Sequence, residues 1–400
     1  MKIVVCNIGS TSLKFQLLDM KYEHQLAKGY IERVGEDDAI INYWIGNEKT
    51  SQEKFKVPTL KNAVKLSLDF LLDPKNNLLK SIEEIDGIGF KTIQAGDKNG
   101  SVILDDEILA AMENYSSLAP AHNPPYLEAI YMFRELLPNT NLVGVFEPGF
   151  HVDIPDYARV YGVPYEWIEK YGVVKYGYHG ASHRFITSET IKVLNLDKEN
   201  HKIISVHLGG SSSLCAFKNG KSIDTSMGFT PQTGLIQGTR IGDLDPFILP
   251  YIMEKKNISL NEALKECSKN GGLKGLSGIS ADMREINEAI ETNNKRALLA
   301  RNKFIYDIKR YIGEYIILMG GIDAITFTGG IGQKDWALRK EVLNSLKFLG
   351  FDLNEEFNQM HKQVISSQNS KFYALVLETN EELVVARETQ KVIMNKSVQL

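Results

Sequence analysis

Two short segments rich in glycine and hydroxyl side chains follow apolar runs of this chain, and both are of a type that binds phosphate. Residues 9–12 follow the run 4–8, and residues 209–213 follow the run 203–208. Glycine allows conformations in which successive N–H groups point into one concavity, and serine hydroxyls add donors. A single turn of this kind is more often only a turn, so the pattern gains its weight from repetition.

The two segments belong to an internal repeat. Residues 2–19 align with the segment starting at residue 202 without a gap, and the identical pairs are Lys2 and Lys202, Ile3 and Ile203, Gly9 and Gly209, Ser12 and Ser212. Each copy predicts a β-hairpin with a phosphate-type turn. A repeat spacing of half the chain favours two similar domains over a solenoid. Two such hairpins would hold the phosphates of a nucleotide in a cleft between the domains.

Several charged side chains lie where they could meet a ligand. Lys91 lies inside the apolar run 85–93, and a buried lysine needs an anionic partner, so it is a candidate for binding a carboxylate or phosphate. Lys14 follows the first turn and is either a phosphate contact or a strand-surface lysine. Glu147 ends the run 142–146 and is either a metal ligand or a surface carboxylate.

The second half adds candidates of its own. His179 and His183 have the i, i+4 spacing of a zinc pair on a helix, but Gly180 argues against a helix that starts earlier, and one histidine acting as a donor to developing negative charge is the favoured alternative. Arg240 is the fork-shaped cation of a polar loop. Residues 324–328 predict a strand, followed by a Gly-rich turn at 329–332 and a helix from about Asp335, an arrangement typical of anion binding.

The elements that must position these residues follow from apolar patterning. It predicts strands at 4–8, 13–18, 85–93, 142–146, 203–208, 214–217, 324–328 and 375–377, further strands between 28 and 60, and helices at 60–72 and within 257–320, the longest at about 295–318. The two prolines after Asn123 place His122 at a loop-to-helix entry. A chain of 400 residues predicts two domains.

Composition excludes several classes of protein. A net charge of −4 gives no case for nucleic acid or a membrane surface, and no apolar run reaches membrane-spanning length. The three cysteines are odd in number and far apart, so we expect neither disulfides nor a Cys-based zinc site. Strand pattern begins directly after Met1 and Lys2, with no signal peptide, so we expect a cytoplasmic protein.

The motifs together resemble the acetate kinase family of short-chain carboxylate kinases over essentially the whole chain. The matching stretches are NIGSTSLK (7–14), APAHNPP (119–125), YGYHGASH (176–183), the HLG-plus-Gly/Ser turn (207–213), TSMGFTP (225–231), GTRIGDLDP (238–246), FTGGIG (327–332) and TNEEL (379–383). The resemblance implies an α/β fold of two duplicated ribonuclease H-like domains of the acetate and sugar kinase, Hsp70 and actin superfamily. It also implies a homodimer formed through the C-terminal domains.

The domains expected from it are 1–150, joined by the C-terminal tail from about 383 to 400, and 151–382, which would bind nucleotide and form the dimer. Mg²⁺, with Mn²⁺ as an alternative, and ATP as co-substrate are implied. The resemblance assigns catalysis to Glu147, His179 and Arg240; substrate binding to Lys91, Ile93, Ala121, His122, Tyr178 and Pro231; ATP binding to Lys14, His207, Leu208, Gly209, Gly210, Ser211, Asp282, Met283, Arg284, Gly330, Ile331, Gly332, Gln333 and Lys334; and the metal to Asn7 and Glu381.

This chain departs from the family pattern at several of these positions. Lys91 replaces an arginine, which keeps the charge but loses the bidentate fork, and Glu147 replaces an aspartate, which moves the carboxylate by one methylene. The turn G-N-G-S-S has become residues 209–213, G-G-S-S-S, and G-I-G-E-N has become residues 330–334, G-I-G-Q-K. Ala121 and Tyr178 stand where leucine and phenylalanine are usual, which predicts a larger and more polar acyl pocket.

The leading hypothesis is therefore an ATP-dependent carboxylate kinase that forms an acyl phosphate and ADP reversibly, with acetate as the default acid. One alternative keeps this chemistry but changes the acid to propionate or a polar-substituted acid. Another is a catalytically weakened paralogue that binds nucleotide or acyl phosphate. Asn7, His179, Arg240 and Glu381 are retained, which argues against the last. Gln333 and Lys334 also leave the phosphoryl donor open to alternatives such as pyrophosphate.

Overall fold

A computed structural model describes residues 1–116, 119 and 122–399 of the chain, with side chains up to residue 395. The chain divides into two compact units, the first made of Met1–Gly149 with Asn380–Leu400 and the second of Phe150–Thr379. Within the described residues, no helix has the length and apolar character needed to cross a membrane.

The first unit is built on an eight-stranded sheet. Its strands are β1 (Lys2–Gly9), β2 (Ser12–Asp19), β3 (His24–Glu32), β4 (Ala39–Ile45), β5 (Glu48–Phe55), β6 (Gly87–Thr92), β7 (Ser101–Ile103) and β8 (Asn141–Phe146). The sheet order is β5-β4-β3-β2-β1-β6-β8-β7. Strand β6 lies between β1 and β8 and is parallel to both, so three carboxyl ends meet at one edge.

The second unit has a five-stranded sheet of β9 (Lys202–Leu208), β10 (Ser212–Lys218), β11 (Lys221–Thr225), β12 (Ala324–Thr328) and β13 (Tyr373–Val376), in the order β11-β10-β9-β12-β13. The first three strands pair antiparallel, and β9, β12 and β13 pair parallel. Strands β3-β2-β1-β6-β8 of the first unit repeat this order and these directions. The duplicated α/β fold that the internal repeat predicts is thereby confirmed.

Helices cover the sheets and connect their strands. They are α1 (Leu60–Leu72), α2 (Asp106–Asn114), α3 (Asn123–Leu136), α4 (Asp156–Arg159), α5 (Tyr165–Tyr171), α6 (Gly180–Leu194), α7 (Ile248–Lys256), α8 (Leu260–Lys269), α9 (Gly272–Ser277), α10 (Met283–Glu291), α11 (Lys295–Met319), α12 (Gly329–Lys334), α13 (Trp336–Asn344), α14 (Glu355–Gln359) and α15 (Glu381–Gln399). Short 3₁₀ turns lie at Ile82–Glu84, Glu147–Phe150 and Lys347–Leu349.

The C-terminal helix α15 packs directly on strand β6. Two glycines make this possible, because a Cβ atom on Gly89 would collide with Thr389 and Val385, and one on Gly87 would collide with Ile393. The close approach brings the first residue of α15, Glu381, to the edge where β6 ends. Packing in the first unit thus joins the last segment of the chain to its first strands.

The segment after β12 differs from expectation. The sequence predicts a turn at 329–332 and a helix from about Asp335, but α12 begins at Gly329 itself, and α13 follows from Trp336. Gly329 makes the turn alone, with φ at +77°, and a Cβ atom there would collide with the backbone of Leu208. Gly329 therefore forms by itself the turn that the sequence pattern predicted for residues 329–332.

Candidate active site

In the first unit, charged side chains gather where β1, β6 and β8 end. Lys91 lies near the end of β6, and Glu147 directly follows β8. The Lys91 Nζ atom is 2.6 Å from Glu381 Oε2 and 3.7 Å from Glu147 Oε1. The prediction that Lys91 needs an anionic partner is confirmed, and the structure supplies two.

The three groups are largely shielded from water. The side chain of Glu147 is 3% exposed, that of Lys91 20% and that of Glu381 18%. Burial alone would lower the pKa of Lys91, but the carboxylates of Glu381 and Glu147 outweigh it and raise that pKa above its usual value. Lys91 therefore stays an ammonium ion at neutral pH, although the two carboxylates offset its positive charge.

Tyr126 of α3 joins this cluster, although no sequence pattern singles it out. Its hydroxyl donates to Asn7 Oδ1 at 3.2 Å and accepts from the backbone N–H of Ile8 at 3.2 Å. Burial raises the pKa of Tyr126, so the hydroxyl keeps its proton. Tyr126 thereby fixes the amide of Asn7 at the end of β1.

The oxygens of this cluster fit magnesium. Mg²⁺ is usually held by one or two carboxylates together with waters and substrate phosphates. Asn7 and Glu381 offer one amide oxygen and one carboxylate, all hard ligands. Across the described residues, no group of three or more His, Cys, Asp or Glu side chains could hold a metal ion by itself. Waters and substrate phosphates would complete the coordination of a metal held by Asn7 and Glu381.

The other candidates of the first unit lie around the same strands. His122 directly precedes α3, which starts at Asn123 as predicted. Asn123 is fully buried and donates to the carbonyls of Gln94 and Met112, both at 2.8 Å, which ties the exit of β6 to α2. Ile93 lies just past the end of β6 and is half-buried. Ala121 lies outside the described residues.

Lys14 pairs with Asn7 across the β1–β2 hairpin, so both side chains lie on one face of the sheet. Its Nζ atom lies 5.1 Å from the centre of the Tyr30 ring. This cation–π contact holds an exposed ammonium group near the candidate metal ligand Asn7.

In the second unit, His179 lies at the entrance to α6. It has φ at +59°, a left-handed conformation that ends the preceding loop, and α6 begins at Gly180. The Nδ1 atom of His179 hydrogen-bonds with Ser213 Oγ at 2.9 Å. Ser213 therefore holds the His179 ring through Nδ1.

The second histidine of the pair, His183, lies behind His179. Its Nε2 hydrogen-bonds with Ser213 at 2.8 Å and its Nδ1 with Ser205 at 2.9 Å. Burial lowers the pKa of His183 well below its usual value, so this ring is neutral. Both of its nitrogens are engaged by serines, which argues against the zinc alternative.

His207 of β9 lies against His179. The two rings stack with their centroids 4.5 Å apart. His207 Nδ1 hydrogen-bonds with Ser182 Oγ at 2.8 Å, and Ser182 also donates to Thr379 Oγ1 at 3.1 Å. The strand and the helix start thus fix the position of both imidazoles, and the contact with Ser182 is one that the sequence analysis did not predict.

The polar loop after β11 carries Arg240. Its Nη1 atom contacts Ser211 Oγ at 2.9 Å and the carbonyl of Pro231 at 3.2 Å. The hydroxyl of Tyr178 donates to the carbonyl of Phe229 at 2.8 Å, so this departure from the family pattern fastens the loop from inside the unit.

A cavity of about 890 Å³ opens beside the β9–β10 turn. Parts of all three predicted ATP-binding segments line it. They contribute Gly209, Gly210, Asp282, Met283, Arg284, Gly330, Ile331 and Lys334, and the remaining wall includes Asn287, Glu291, Arg301 and Trp336. The volume suits a nucleotide. Lys14, His207, Leu208, Ser211, Gly332 and Gln333 of the predicted set are not part of this lining.

Two arginines form hydrogen bonds in the cavity wall or in the helix next to it. Arg284 forms hydrogen bonds with Asp282 and lowers the pKa of that carboxyl group to about 2, which keeps the residue that caps α10 ionised. Arg339 is fully buried and donates to the carbonyls of Gly332 and Gln333, both at 2.7 Å. Burial lowers the pKa of Arg339 to about 10. Sequence reasoning missed Arg339, because it lies on the ordinary helix α13.

Comparison with known proteins places these features in a family. The sequence profile described as the acetokinase family matches residues 2–387. The chain belongs to the acetokinase family. An acetate kinase from Clostridium novyi is 42% identical over 401 residues that cover all of both chains.

Two solved structures of acetokinase-family fold are similar as well. A crystal structure of Porphyromonas gingivalis acetate kinase has a TM-score of 0.91 and 37% identity, covering 98% of this chain and 99% of that one. A propionate kinase from Francisella tularensis has a TM-score of 0.90 and 33% identity, with the same coverage. The protein is thus a phosphotransferase with a carboxyl group as acceptor, a short-chain carboxylate kinase that uses ATP as co-substrate and Mg²⁺ as cofactor.

Proposed function

We propose that this acetokinase transfers the γ-phosphoryl group of ATP to acetate and forms acetyl phosphate and ADP reversibly. The observation that carries the proposal is the Lys91 ammonium, which the two carboxylates keep charged at the end of β6. The ammonium has three N–H donors, so it can still donate to a small carboxylate while it pairs with Glu147 and Glu381. The acetate kinases among its relatives support acetate as the acid.

In the first unit, Lys91 binds the acceptor carboxylate, with His122 and Ile93 beside it. Glu147, the predicted catalytic carboxylate, orients Lys91 and the acceptor from the end of β8. Asn7 and Glu381 would hold Mg²⁺, which neutralises phosphate charge when it is bound. Because two anions must be brought together for this transfer, fixed cations and oriented donors account for most of the catalysis.

In the second unit, the cavity beside the β9–β10 turn binds the nucleotide. His179 through Nε2, and Arg240 through its guanidinium, donate hydrogen bonds to the transferring phosphoryl group, whose charge is greatest in the transition state. The acceptor oxygen attacks phosphorus in line with the leaving ADP oxygen, and no covalent enzyme intermediate is needed.

Two observations favour an acid other than acetate, namely the similarity to a propionate kinase and the presence of Lys91. The propionate kinase resembles this chain in structure almost as closely as the acetate kinase does. Lys91 holds a planar carboxylate less rigidly than an arginine would. A larger or polar-substituted short acid is therefore the alternative substrate.

The proposal is tested by trapping acyl phosphates with hydroxylamine in the presence of Mg-ATP and single acids. We expect acyl hydroxamate with acetate at the highest kcat/KM, and a value for propionate lower by about tenfold or more, since one methylene is worth 10- to 200-fold in a fitted pocket. Reactions without acid measure background. A higher value for propionate or a hydroxy acid would move the assignment to that acid. The absence of product with every acid, with either ATP or pyrophosphate as donor, would contradict the proposed reaction.

We also propose that the enzyme is a homodimer formed through the second unit. That unit exposes large apolar side chains, among them Phe247 at 80% and Ile317 at 79%. We expect light scattering after size exclusion to give about twice the chain mass of 45.0 kDa. Phe247→Asp and Ile317→Asp should shift the mass toward the monomer, whereas Tyr22→Asp on the first unit should not. A monomeric wild-type protein would contradict the proposal.

A further inference from the structure

The guanidinium of Arg240 is held by one of its terminal nitrogens only. Nη1 donates to Ser211 Oγ at 2.9 Å, to Gln237 Oε1 at 3.2 Å and to the carbonyl of Pro231 at 3.2 Å. Nowhere in the described part of the chain do Nε or Nη2 meet a hydrogen-bond acceptor. These two nitrogens form one edge of the planar fork, the edge that binds two oxygens of a phosphate at once.

Gln237 is the centre of the group that holds Nη1. Its side chain is fully buried, and its Oε1 accepts from the Ser211 hydroxyl at 2.8 Å and from the backbone N–H of Ser212 at 3.3 Å. Its Nε2 donates to the carbonyl of Pro231 at 2.9 Å. Since the Ser211 proton goes to Gln237, the Ser211 oxygen accepts from Arg240. All hydrogen bonds of this group can therefore be formed at the same time, each with one donor and one acceptor.

All three acceptors of the guanidinium are neutral oxygens. Burial lowers the pKa of Arg240, but an arginine remains charged throughout the working pH range. An acidic partner would cancel much of the positive charge that a phosphoryl group meets, whereas a hydroxyl, an amide and a carbonyl fix the position of the side chain and keep its charge. The arrangement orients a cation without neutralising it.

We propose that Ser211 and Gln237 are positioning residues that aim the Nε–Nη2 edge of Arg240 at the transferring phosphoryl group. The proposal deepens the function proposed above and rests on it. Ser211 stands where the family pattern has glycine, so its hydroxyl contact is a feature of this chain. An arginine with one fixed nitrogen loses less rotamer freedom when it binds its substrate, which favours the transition state.

The first test is kinetic and uses Ser211→Ala, Ser211→Thr and Gln237→Met in the full-length enzyme. We expect Ser211→Ala and Gln237→Met to lower kcat by about 10- to 100-fold, with KM for ATP changed less than about threefold, because misplaced cations affect the transition state most. Ser211→Thr keeps the hydroxyl and should restore most of kcat. Gln232→Met is the matched control, since Gln232 lies in the same loop and is not among the hydrogen-bond partners of Arg240.

The second test does not depend on turnover. In enzyme labelled with ¹⁵N-arginine, the Arg240 side-chain signals are assigned by their loss in Arg240→Lys. We expect slow exchange of the Nη protons in the wild type and fast exchange in Ser211→Ala and Gln237→Met. Equal exchange in all three would overturn the proposal, and so would a kcat unaffected by both substitutions. Slow exchange in an enzyme that phosphorylates no acid would instead show the proposed function to be wrong, with Arg240 still held as described.

Discussion

Replacing Lys91 by methionine is expected to abolish most of the carboxylate kinase activity and to lower the free energy of unfolding by about 3–5 kcal/mol. The change leaves the carboxylates of Glu147 and Glu381 close together without the ammonium that both contact. Breaking a buried ion pair at one partner costs this much because the remaining charge is left in a poorly solvating environment. The change in the free energy of unfolding is measured by urea unfolding at neutral pH without nucleotide or metal.

Two further variants make that result specific. Lys91→Arg keeps the charge and restores the bidentate fork. We therefore expect its free energy of unfolding to remain close to that of the wild type, and its KM for the acid to change instead. Lys56→Met removes an exposed pairing with Asp37, which should cost at most about 1 kcal/mol. If Lys91→Met were as stable as Lys56→Met, the two carboxylates would not depend on Lys91, and the assignment of Lys91 as their counter-ion would be wrong.

The local elements of the fold could be predicted because their signals are local. Helix α1 covers the predicted range 60–72, with Thr59 accepting a hydrogen bond from the Asn62 N–H at its start. Both Gly/Ser hairpins form as expected, because apolar runs flank a turn that only small residues fill. The Gly-rich segment after β12 misled the prediction, since four small residues look like a turn when Gly329 alone makes it and the rest are helical.

The site could be predicted only in part, because its contacts are not local. A lysine in an apolar run indicates that an anionic partner exists, but it does not identify the partner. Glu381 is 290 residues away and reaches Lys91 because α15 packs on two glycines of β6. Neutral partners such as Tyr126 and Gln237 have no periodicity or charge to single them out. Their roles emerge from hydrogen bonds that only the folded chain shows.

The histidine pair shows how one residue changes an interpretation. The i, i+4 spacing suits zinc only when both histidines lie within one helix. Here α6 begins at Gly180, so His179 lies outside it in a left-handed conformation. The rings then meet at Ser213 from two sides instead of converging on a metal. The sequence-based preference for a single donor histidine is the alternative that agrees with this geometry.

Replacing His179 by alanine is expected to lower kcat by about 10²- to 10³-fold, with little change in KM for ATP. Removal of one donor to a developing oxyanion has effects of this size. His179→Gln should keep part of kcat, because its amide nitrogen lies near the position of Nε2. His24→Ala, on the surface of the first unit, is the control and should match the wild type. The measurement is steady-state kinetics in the direction of acyl phosphate formation.

The hydrogen bonds of His179 with its neighbours indicate which of its ring nitrogens carries the proton. A neutral His179 that donates through Nε2 must accept at Nδ1, so Ser213 donates to it, the Nε2–H of His183 donates to Ser213, and Ser205 donates to His183. Ser213→Ala removes the donor to Nδ1 and should therefore reduce kcat through His179, by less than His179→Ala itself. In the double variant the second substitution should add little, since both act on one group. Independent, multiplicative losses would mean that Ser213 supports the fold and does not set the tautomer of His179.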